Sequence, residues 1–194
     1  MRRIIVAITG ASSTLLGIRL LEVLGGEAGI ETHLVVSRAA ALTLHLECDD
    51  WTVERVRSLA HVHHKESDLA ASIASGSYPV EAMVVIPCSM KTLAAVAHGY
   101  GANLVARAAD VTLKERRRLI LVPRETPLHL GHLRAMTALA EMGAVIVPPV
   151  ITLYHRPKTV LDVVDHTVGK VLDLLGIDHQ LFPRWEGPAG SQDR

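Results

Sequence analysis

Short, continuously apolar segments alternate along the chain with longer segments in which apolar residues recur every three or four positions. Apolar runs bounded by turn residues predict strands that are buried on both faces, and they cover residues 3–9, 31–36, 82–86, 119–122 and 144–147. Helical periodicity predicts a helix that follows the turn at 10–17 and runs to about residue 24, and further helices near residues 38–46, 52–59, 93–98, 103–113, 129–142 and 159–175. Pro87 is expected to end the central strand.

This alternation predicts one α/β fold, a doubly wound and mostly parallel sheet with helices on both faces. Such a three-layer sandwich is called Rossmann-like or flavodoxin-like. The 194 residues suit a single domain over 1–182, followed by a Pro-, Gly- and Ser-containing tail over 183–194.

Polar residues follow four of the predicted strands, where an open α/β sheet binds its ligands. Each set is also compatible with an ordinary helix cap, so their convergence at one edge, and not any single set, favours a binding site. The first turn lacks the dinucleotide pattern GxGxxG, and a mononucleotide such as FMN suits a single phosphate-binding turn better. The sets are Gly10, Ser12 and Ser13; Ser37; Ser89, Lys91 and Thr92; and Arg124 with Glu125.

Charge and cysteine content narrow the possible functions. Lys+Arg and Asp+Glu number 20 each, which argues against bulk binding to nucleic acid or to an anionic membrane, and no apolar run is long enough to span a bilayer. The two cysteines fit a reducing cytoplasm. The histidines at 61, 63 and 64 have no carboxylate or Cys at ligand spacing, so no metal site is predicted.

Seven motifs between residues 9 and 157 give the chain a specific resemblance to a known family, and the similarity extends from residue 3 to about residue 185. They are Thr-Gly-Ala-Ser at 9–12, Glu-Thr-His-Leu-Val-Val-Ser at 31–37, Ser-Gly-Ser at 75–77, Pro-Cys-Ser-Met-Lys-Thr at 87–92, Arg-Ala-Ala-Asp-Val-Thr-Leu-Lys-Glu-Arg at 107–116, Pro-Arg-Glu-Thr-Pro at 123–127 and Tyr-His-Arg-Pro at 154–157. In these the chain resembles the UbiX-type flavin prenyltransferases, also called the small B subunit of aromatic-acid decarboxylases.

The resemblance implies an enzyme that needs no metal. It would transfer a dimethylallyl group from dimethylallyl monophosphate to N5 and C6 of reduced FMN, and the prenylated FMN would serve a UbiD-type decarboxylase. It further implies a homo-oligomer, a dodecamer or another assembly built from trimers. The absence of a DDxxD run agrees with a phosphate that is neutralised by Lys and Arg side chains.

The resemblance also assigns roles to individual residues. Glu125, Ser12 and Glu47 would be catalytic. The FMN-binding residues would be Gly10, Ala11, Ser12, Ser37, Ser89, Met90, Lys91, Thr92 and Arg124. The donor would contact Arg107, Lys114, Arg124, Tyr154 and Lys170.

Three features depart from the usual family pattern. Ser13 and Thr14 replace Gly and Ala in the first turn, Leu16 replaces a frequent Tyr, and Lys170 replaces Arg. A Lys keeps the positive charge but loses the two-pronged grip of a guanidinium on a phosphate.

Two alternative functions stay open at this level. One is a non-catalytic FMN carrier or partner subunit of a decarboxylase, which the changes at Ser13 and Lys170 would favour. The other is a flavin-dependent cysteine decarboxylase, but the Pro-x-Met-Asn motif of that class is absent, and residues 147–151 are Val-Pro-Pro-Val-Ile.

Overall fold

A computed structural model describes residues 1–187 and contains a six-stranded parallel sheet within them. The strand order is β3-β2-β1-β4-β5-β6, and all strands that pair are parallel. The chain adds strands on one side of β1 up to β3 and then on the other side from β4 to β6. This is the doubly wound order of Rossmann-like folds, and it confirms the predicted fold class. The strands are β1 (Arg2–Ile8), β2 (Ile30–Val36), β3 (Val62–Lys65), β4 (Ala82–Cys88), β5 (Arg118–Pro123) and β6 (Val145–Ile146).

Within residues 1–187 seven α-helices connect or follow the strands, and all seven fall where the periodicity predicts them. They are α1 (Leu15–Gly25), α2 (Arg38–Glu47), α3 (Val53–Arg57), α4 (Met90–Ala97), α5 (Leu104–Lys114), α6 (Leu130–Glu141) and α7 (Val160–Leu175), with one 3-10 turn at Ser72–Ala74. No helix among the described residues combines the length and the apolar character that crossing a membrane requires.

The core lies on both faces of β1 and β4, which explains why their sequences are apolar without alternation. On one face α1 packs against β1, β2 and β4. It approaches closely because residue 17 is Gly, where a Cβ atom would lie 2.5 Å from the Ile86 carbonyl oxygen. On the other face, residues of α4, α5 and α6 such as Leu93, Leu104 and Leu139 pack over Met83 and Val85.

The prediction that Pro87 ends the central strand is wrong. β4 continues through Pro87 to Cys88, and its pairing with β5 shifts between Val85 and Cys88. The irregularity accommodates a residue without an N–H group, while the Pro87 carbonyl still accepts a hydrogen bond from the Thr9 amide at 3.2 Å.

Strand β3 is the one strand of the described sheet that the sequence pattern does not predict. Its residues are Val, His, His and Lys, and most of them are exposed at the edge of the sheet. Side chains hold it to β2: the ring nitrogens of His33 and His64 are 3.0 Å apart, and the Thr32 hydroxyl lies 3.0 Å from His61 Nδ1. Pairing with β2 therefore forms a strand where local apolar character is low.

The chain divides into two compact units, Met1–Pro149 and Val150–Arg194. The first unit holds the sheet and α1 to α6, and the second holds α7. The division into a domain over 1–182 and a tail over 183–194 stays a prediction, and residues 188–194 of that tail lie outside the described part of the chain.

Candidate functional site

The carboxyl ends of β1, β2 and β4 open into one cleft in the first unit, with a volume of about 540 Å³. The sheet therefore brings together predicted residues from three separate strand ends. Those that line the cleft are Gly10, Ser37, Ser89, Lys91 and Thr92, and they are joined by Arg38, Ala39, Leu42, Glu66 and Asn103.

The first turn of α4 offers free hydrogen-bond donors to this cleft. Ser89 is the N-cap: its hydroxyl oxygen accepts from the Thr92 amide at 3.3 Å, and its O–H group donates to the Thr92 hydroxyl oxygen at 3.1 Å. The Ser89 amide donates to the Thr9 hydroxyl oxygen at 2.8 Å. The amides of Met90 and Lys91 are the remaining first-turn donors, which have no intrahelical partner. A helix start of this kind, with a lysine beside it, attracts an anion.

Thr9 joins the ends of β1 and β4 beneath the cleft. Its side chain is 1% exposed, and its hydroxyl donates to the Pro87 carbonyl oxygen at 2.8 Å while accepting from the Ser89 amide. Thr9 therefore fixes where α4 begins. It belongs to the first motif, but its strand position gave no reason to assign it a site role.

The turn before α1 is closed by a carboxylate of the same chain. The Ser13 amide donates to both oxygens of Glu47, at 3.1 and 3.0 Å, and the Thr14 amide and hydroxyl donate to Glu47 Oε2 at 3.1 and 3.0 Å. Burial raises the pKa of Glu47, but hydrogen bonds from Ser12, Thr14 and Ser13 outweigh it and leave the pKa below its ordinary value. The Ser13 amide is therefore not available to a phosphate in this structure, because it donates to Glu47. The part of the interpretation that concerns the Ser13 hydroxyl stays a prediction.

A second carboxylate occupies the start of α2. Glu66 Oε2 accepts from the Arg38 amide at 2.7 Å, and Glu66 Oε1 accepts from Asn103 Nδ2 at 2.8 Å. The hydroxyl of Ser37 meanwhile accepts from the Ala40 amide at 3.0 Å, as an N-cap. The described first turns of α1 and α2 each keep one amide without a partner, that of Leu15 and that of Ala39, but each of these helix starts also binds a carboxylate. Of the helices that start at this edge after β1, β2 and β4, α4 is the one whose described first turn binds no carboxylate and keeps two such amides.

Arg38, Glu66 and Asn103 are site residues that the sequence patterns did not indicate. Glu66 directly follows β3, so recognising that strand would have marked it as another strand-end residue. Asn103 is the N-cap of α5, and its side-chain oxygen accepts from the Ala106 amide at 2.9 Å. It lies far from the other cleft residues in sequence, and no local pattern connects it to them.

Arg124 and Glu125 follow β5 at the same edge of the sheet but are not among the residues that line the cleft. The Arg124 amide donates to the Cys88 carbonyl oxygen at 3.3 Å, which places it beside the end of β4. Arg124 Nε is buried and has no hydrogen-bond partner among the described residues. Glu125 is exposed, and its carboxylate accepts from the adjacent Thr126 amide at 3.0 Å. A buried guanidinium donor without a partner suits a site for an anionic ligand.

Arg107 and Lys114 both lie on α5, outside the cleft. Arg107 donates to the Ala74 carbonyl oxygen at 3.1 Å and to Asp110 at 3.0 Å. Lys114 pairs with Glu115 at the last turn of α5, directly before β5 begins. The start of β5 lies at the amino edge of the sheet, so one copy of this chain does not bring Lys114 to the cleft.

The second unit contains the two remaining predicted residues, Tyr154 and Lys170. The Tyr154 hydroxyl lies 3.2 Å from His166 Nε2, and Lys170 Nζ donates to Asp173 at 3.2 Å. Asp173 also accepts two hydrogen bonds from Arg184, at 2.7 and 2.8 Å. The Asp173 carboxylate therefore binds the cationic side chains of Lys170 and Arg184. On α7, His166 and Lys170 lie about one helical turn apart.

The described residues include no group of three or more His, Cys, Asp or Glu side chains that could hold a metal ion. Cys48 and Cys88 are both free thiols, and burial raises the pKa of Cys88 to about 12.

Comparisons with known proteins place this arrangement in a family. The model of the Flavoprotein family matches residues 1–173. Flavin prenyltransferase UbiX of Salmonella typhimurium is 54% identical over 189 residues, 96% of this chain and all of that protein, and the enzyme of the same name from Archaeoglobus fulgidus is 51% identical over 183 residues, 94% of this chain and 99% of that protein.

Solved structures agree with the sequence relatives. A dodecameric FMN-dependent UbiX-like decarboxylase from Escherichia coli O157:H7 has a TM-score of 0.94 at 48% identity, over 95% of this chain and all of that chain. AnUbiX (PadA1), in complex with FMN and dimethylallyl pyrophosphate, has the same TM-score and identity over 96% of this chain and 98% of its own. The FMN-dependent cysteine decarboxylase TvaF shares the fold alone, at 18% identity and a TM-score of 0.62 over 75% of this chain and 89% of its own. The chain therefore belongs to the Flavoprotein family and, within it, to the UbiX flavin prenyltransferases.

Proposed function

We propose that this chain transfers a dimethylallyl group from dimethylallyl monophosphate to N5 and C6 of reduced FMN. The observation that carries the proposal is the open first turn of α4 in a cleft of about 540 Å³, at the edge where the polar ends of β1, β2 and β4 meet. Family membership supplies the chemistry: reduced FMN provides the nucleophilic ring atoms, and the phosphate ester provides the allyl group.

FMN fits the cleft through its phosphate. The amides of Met90 and Lys91, the Lys91 ammonium group and the hydroxyls of Ser89 and Thr92 would bind that dianion. The starts of α1 and α2 carry carboxylates, which would repel a phosphate, so the flavin phosphate is assigned to α4. The other FMN-binding residues that we propose are Gly10, Ala11, Ser12, Ser37 and Arg124.

The donor phosphate requires cationic and hydrogen-bonding side chains, because negative charge grows on it as the allyl carbon departs. We assign this role to Arg107, Lys114, Arg124, Tyr154 and Lys170. The position of Lys114 at the amino edge of its own sheet supports an assignment in which Lys114 acts in the site of a neighbouring copy. This agrees with the homo-oligomer that we propose, a dodecamer or another trimer-based assembly.

Proton transfer is assigned to Glu125, with the Ser12 hydroxyl assisting. Glu125 is exposed and accepts one amide hydrogen bond, so its carboxylate retains acceptor capacity for the proton that C6 must lose. Glu47 was predicted to be catalytic, but its hydrogen bonds to the first turn support a role in holding Ser12 in place.

The cellular setting follows from the same proposal. A UbiD-type decarboxylase would receive the prenylated FMN. The two free thiols support the cytoplasm as the compartment.

The test is to incubate the protein without oxygen with reduced FMN and dimethylallyl monophosphate and then to measure the mass of the flavin. We expect a flavin that is heavier by one dimethylallyl group, and the same mixture with oxidised FMN, the control, should give unmodified flavin. Unmodified flavin that stays bound, with both the mono- and the diphosphate donor, would contradict the proposal and favour an FMN carrier. Release of carbon dioxide from a peptide with a C-terminal cysteine would favour a cysteine decarboxylase.

A further inference from the structure

A buried histidine holds the hydroxyl group of Tyr154 in the second unit. His166, on α7, is 8% exposed, and its Nε2 atom lies 3.2 Å from the Tyr154 hydroxyl. Its other ring nitrogen, Nδ1, lies 2.8 Å from the Thr152 hydroxyl. Both nitrogens of this imidazole are therefore used, and the three side chains form one hydrogen-bonded chain.

The His166 ring is also fixed by stacking. It lies nearly parallel to the His155 ring, at 8° with centroids 4.9 Å apart, and its centroid is 4.6 Å from that of Phe182. The ring thus has little freedom to turn away from Tyr154. The two nitrogens of His155 are buried without a hydrogen-bond partner among the described residues, so His155 contributes packing to this stack and no hydrogen bond.

His166 is the neutral imidazole near pH 7. Burial lowers its pKa below the ordinary value, the charges of His155 and Lys170 lower it further, and Asp173 alone opposes them. The other groups that face the ring are Tyr154, Thr152 and Phe182.

A neutral imidazole has one donor nitrogen and one acceptor nitrogen, so the chain can be hydrogen-bonded in two directions. In one direction Tyr154 donates to Nε2, and its only hydrogen is used within the protein. In the other direction Thr152 donates to Nδ1, Nε2 donates to the phenol oxygen, and the Tyr154 hydrogen points away from His166. A phosphate oxygen only accepts hydrogen bonds, and it therefore pairs with Tyr154 only in the second direction.

We propose that His166, with Thr152, is a positioning residue that makes Tyr154 a hydrogen-bond donor to the phosphate of the prenyl donor. The inference rests on the proposed function only in the identity of that ligand. It assigns to a buried histidine and a threonine a role in donor affinity, whereas packing alone would give the histidine a role only in folding.

The test measures the binding of the donor and not its turnover. Oxidised FMN replaces reduced FMN, so that the prenyl group is not transferred during the measurement. Titration calorimetry would measure the dissociation constant of dimethylallyl monophosphate with the full chain loaded with oxidised FMN. The variants are Tyr154→Phe, His166→Phe and their combination. Phe at 166 keeps an aromatic ring between His155 and Phe182 but removes both hydrogen bonds.

We expect Tyr154→Phe to weaken donor binding about tenfold, the effect of losing one hydrogen bond to a charged group. His166→Phe should weaken it about three- to tenfold, and the double variant should bind like Tyr154→Phe alone, because His166 acts through the phenol. The FMN dissociation constant should change by less than about twofold in each variant. His155→Phe, the matched control in the same stack, should bind the donor like the original chain.

Variants at Thr152 provide a second test, which does not depend on whether His166→Phe folds. Thr152→Val should weaken donor binding, and Thr152→Ser, which restores the hydroxyl, should not. Unchanged donor affinity in both His166→Phe and Thr152→Val would overturn the inference. It would also be overturned if His166→Phe weakened donor binding as much in the Tyr154→Phe variant as in the original chain. Failure of the original chain to bind the donor would overturn it as well. Binding with the expected coupling but no prenylated flavin would instead overturn the proposed function.

Discussion

The backbone at Ser13 should be strained, and replacing this serine with glycine should stabilise the protein. Ser13 has a φ of 77°, in the left-handed region that favours glycine. Two contacts hold it there: its amide donates to Glu47 at 3.0 Å, and its carbonyl oxygen accepts from the Leu16 amide at 3.1 Å. Because this turn places Ser12 and starts α1, the chain keeps the conformation although residue 13 is not glycine.

The size of the effect follows from two opposing terms. A left-handed conformation costs a residue with a Cβ atom about 1–2 kcal/mol, and glycine avoids that cost. Glycine in turn loses more backbone freedom on folding, by about 0.5–1 kcal/mol. Ser13→Gly should therefore raise the free energy of unfolding by about 0.5–1 kcal/mol. For a chain of this length that raises the melting temperature by about 2 °C.

The assay is urea unfolding, supported by thermal unfolding, of both proteins at the same subunit concentration, since assembly contributes to apparent stability. The matched control is Gly29→Ser, the reverse change at a φ of 83° where an added Cβ atom would meet nothing within 4 Å. It should destabilise the protein by about 0.5–1 kcal/mol through strain alone. If Gly29→Ser destabilises as expected but Ser13→Gly is neutral or destabilising, the reasoning about strain at Ser13 is refuted.

Three further predictions concern the cleft and the second unit. Glu47→Ala should lower the free energy of unfolding by about 1 kcal/mol in urea, because the half-buried Thr14 amide and hydroxyl lose their charged partner, while Glu47→Gln should cost less. Ser89→Ala combined with Thr92→Val should weaken FMN binding about tenfold or more but barely change riboflavin binding in fluorescence titrations, since riboflavin lacks the phosphate; equal losses for both ligands would contradict the assignment to α4. Hydrogen bonds from Arg184 hold the pKa of Asp173 at about 2, below its ordinary value of 3.8. The pair therefore stabilises the fold fully at pH values above 3.8, and this stabilisation is lost as the pH falls towards 2. Asp173→Asn should therefore cost about 1 kcal/mol in urea unfolding near pH 6 and less near pH 3, and a loss that grows at low pH would refute this sign.

Local patterns predicted most of the fold because the physical signals are local. Five of the six described strands and all seven helices follow from apolar runs and helical periodicity, since burial on both faces demands apolar residues at every position of a central strand. β3 was missed because its stability comes from β2, through contacts such as that of His33 with His64. The extent of β4 was misjudged for a similar reason, because an irregular pairing with β5 accommodates Pro87.

The candidate site was predictable only in part. Ser37, Ser89 and Thr92 could be found from the sequence, because a hydroxyl directly after a buried strand is placed by the connectivity of a parallel sheet. Glu66 and Asn103 could not be found, since one follows an unrecognised strand and the other reaches the cleft from the start of α5.

The sequence by itself determined the fold class, the strand ends that carry polar residues and the family to which the chain belongs. Those properties depend on residues that are near one another in the chain. Only the tertiary structure decided which helix start has no bound carboxylate, because Glu47 and Glu66, which bind the starts of α1 and α2, come from distant segments. Only the structure showed that the Ser13 backbone is in the left-handed region and that the His166 ring contacts the Tyr154 hydroxyl. Both features depend on contacts between segments that are distant in the sequence, and no local pattern specifies such contacts.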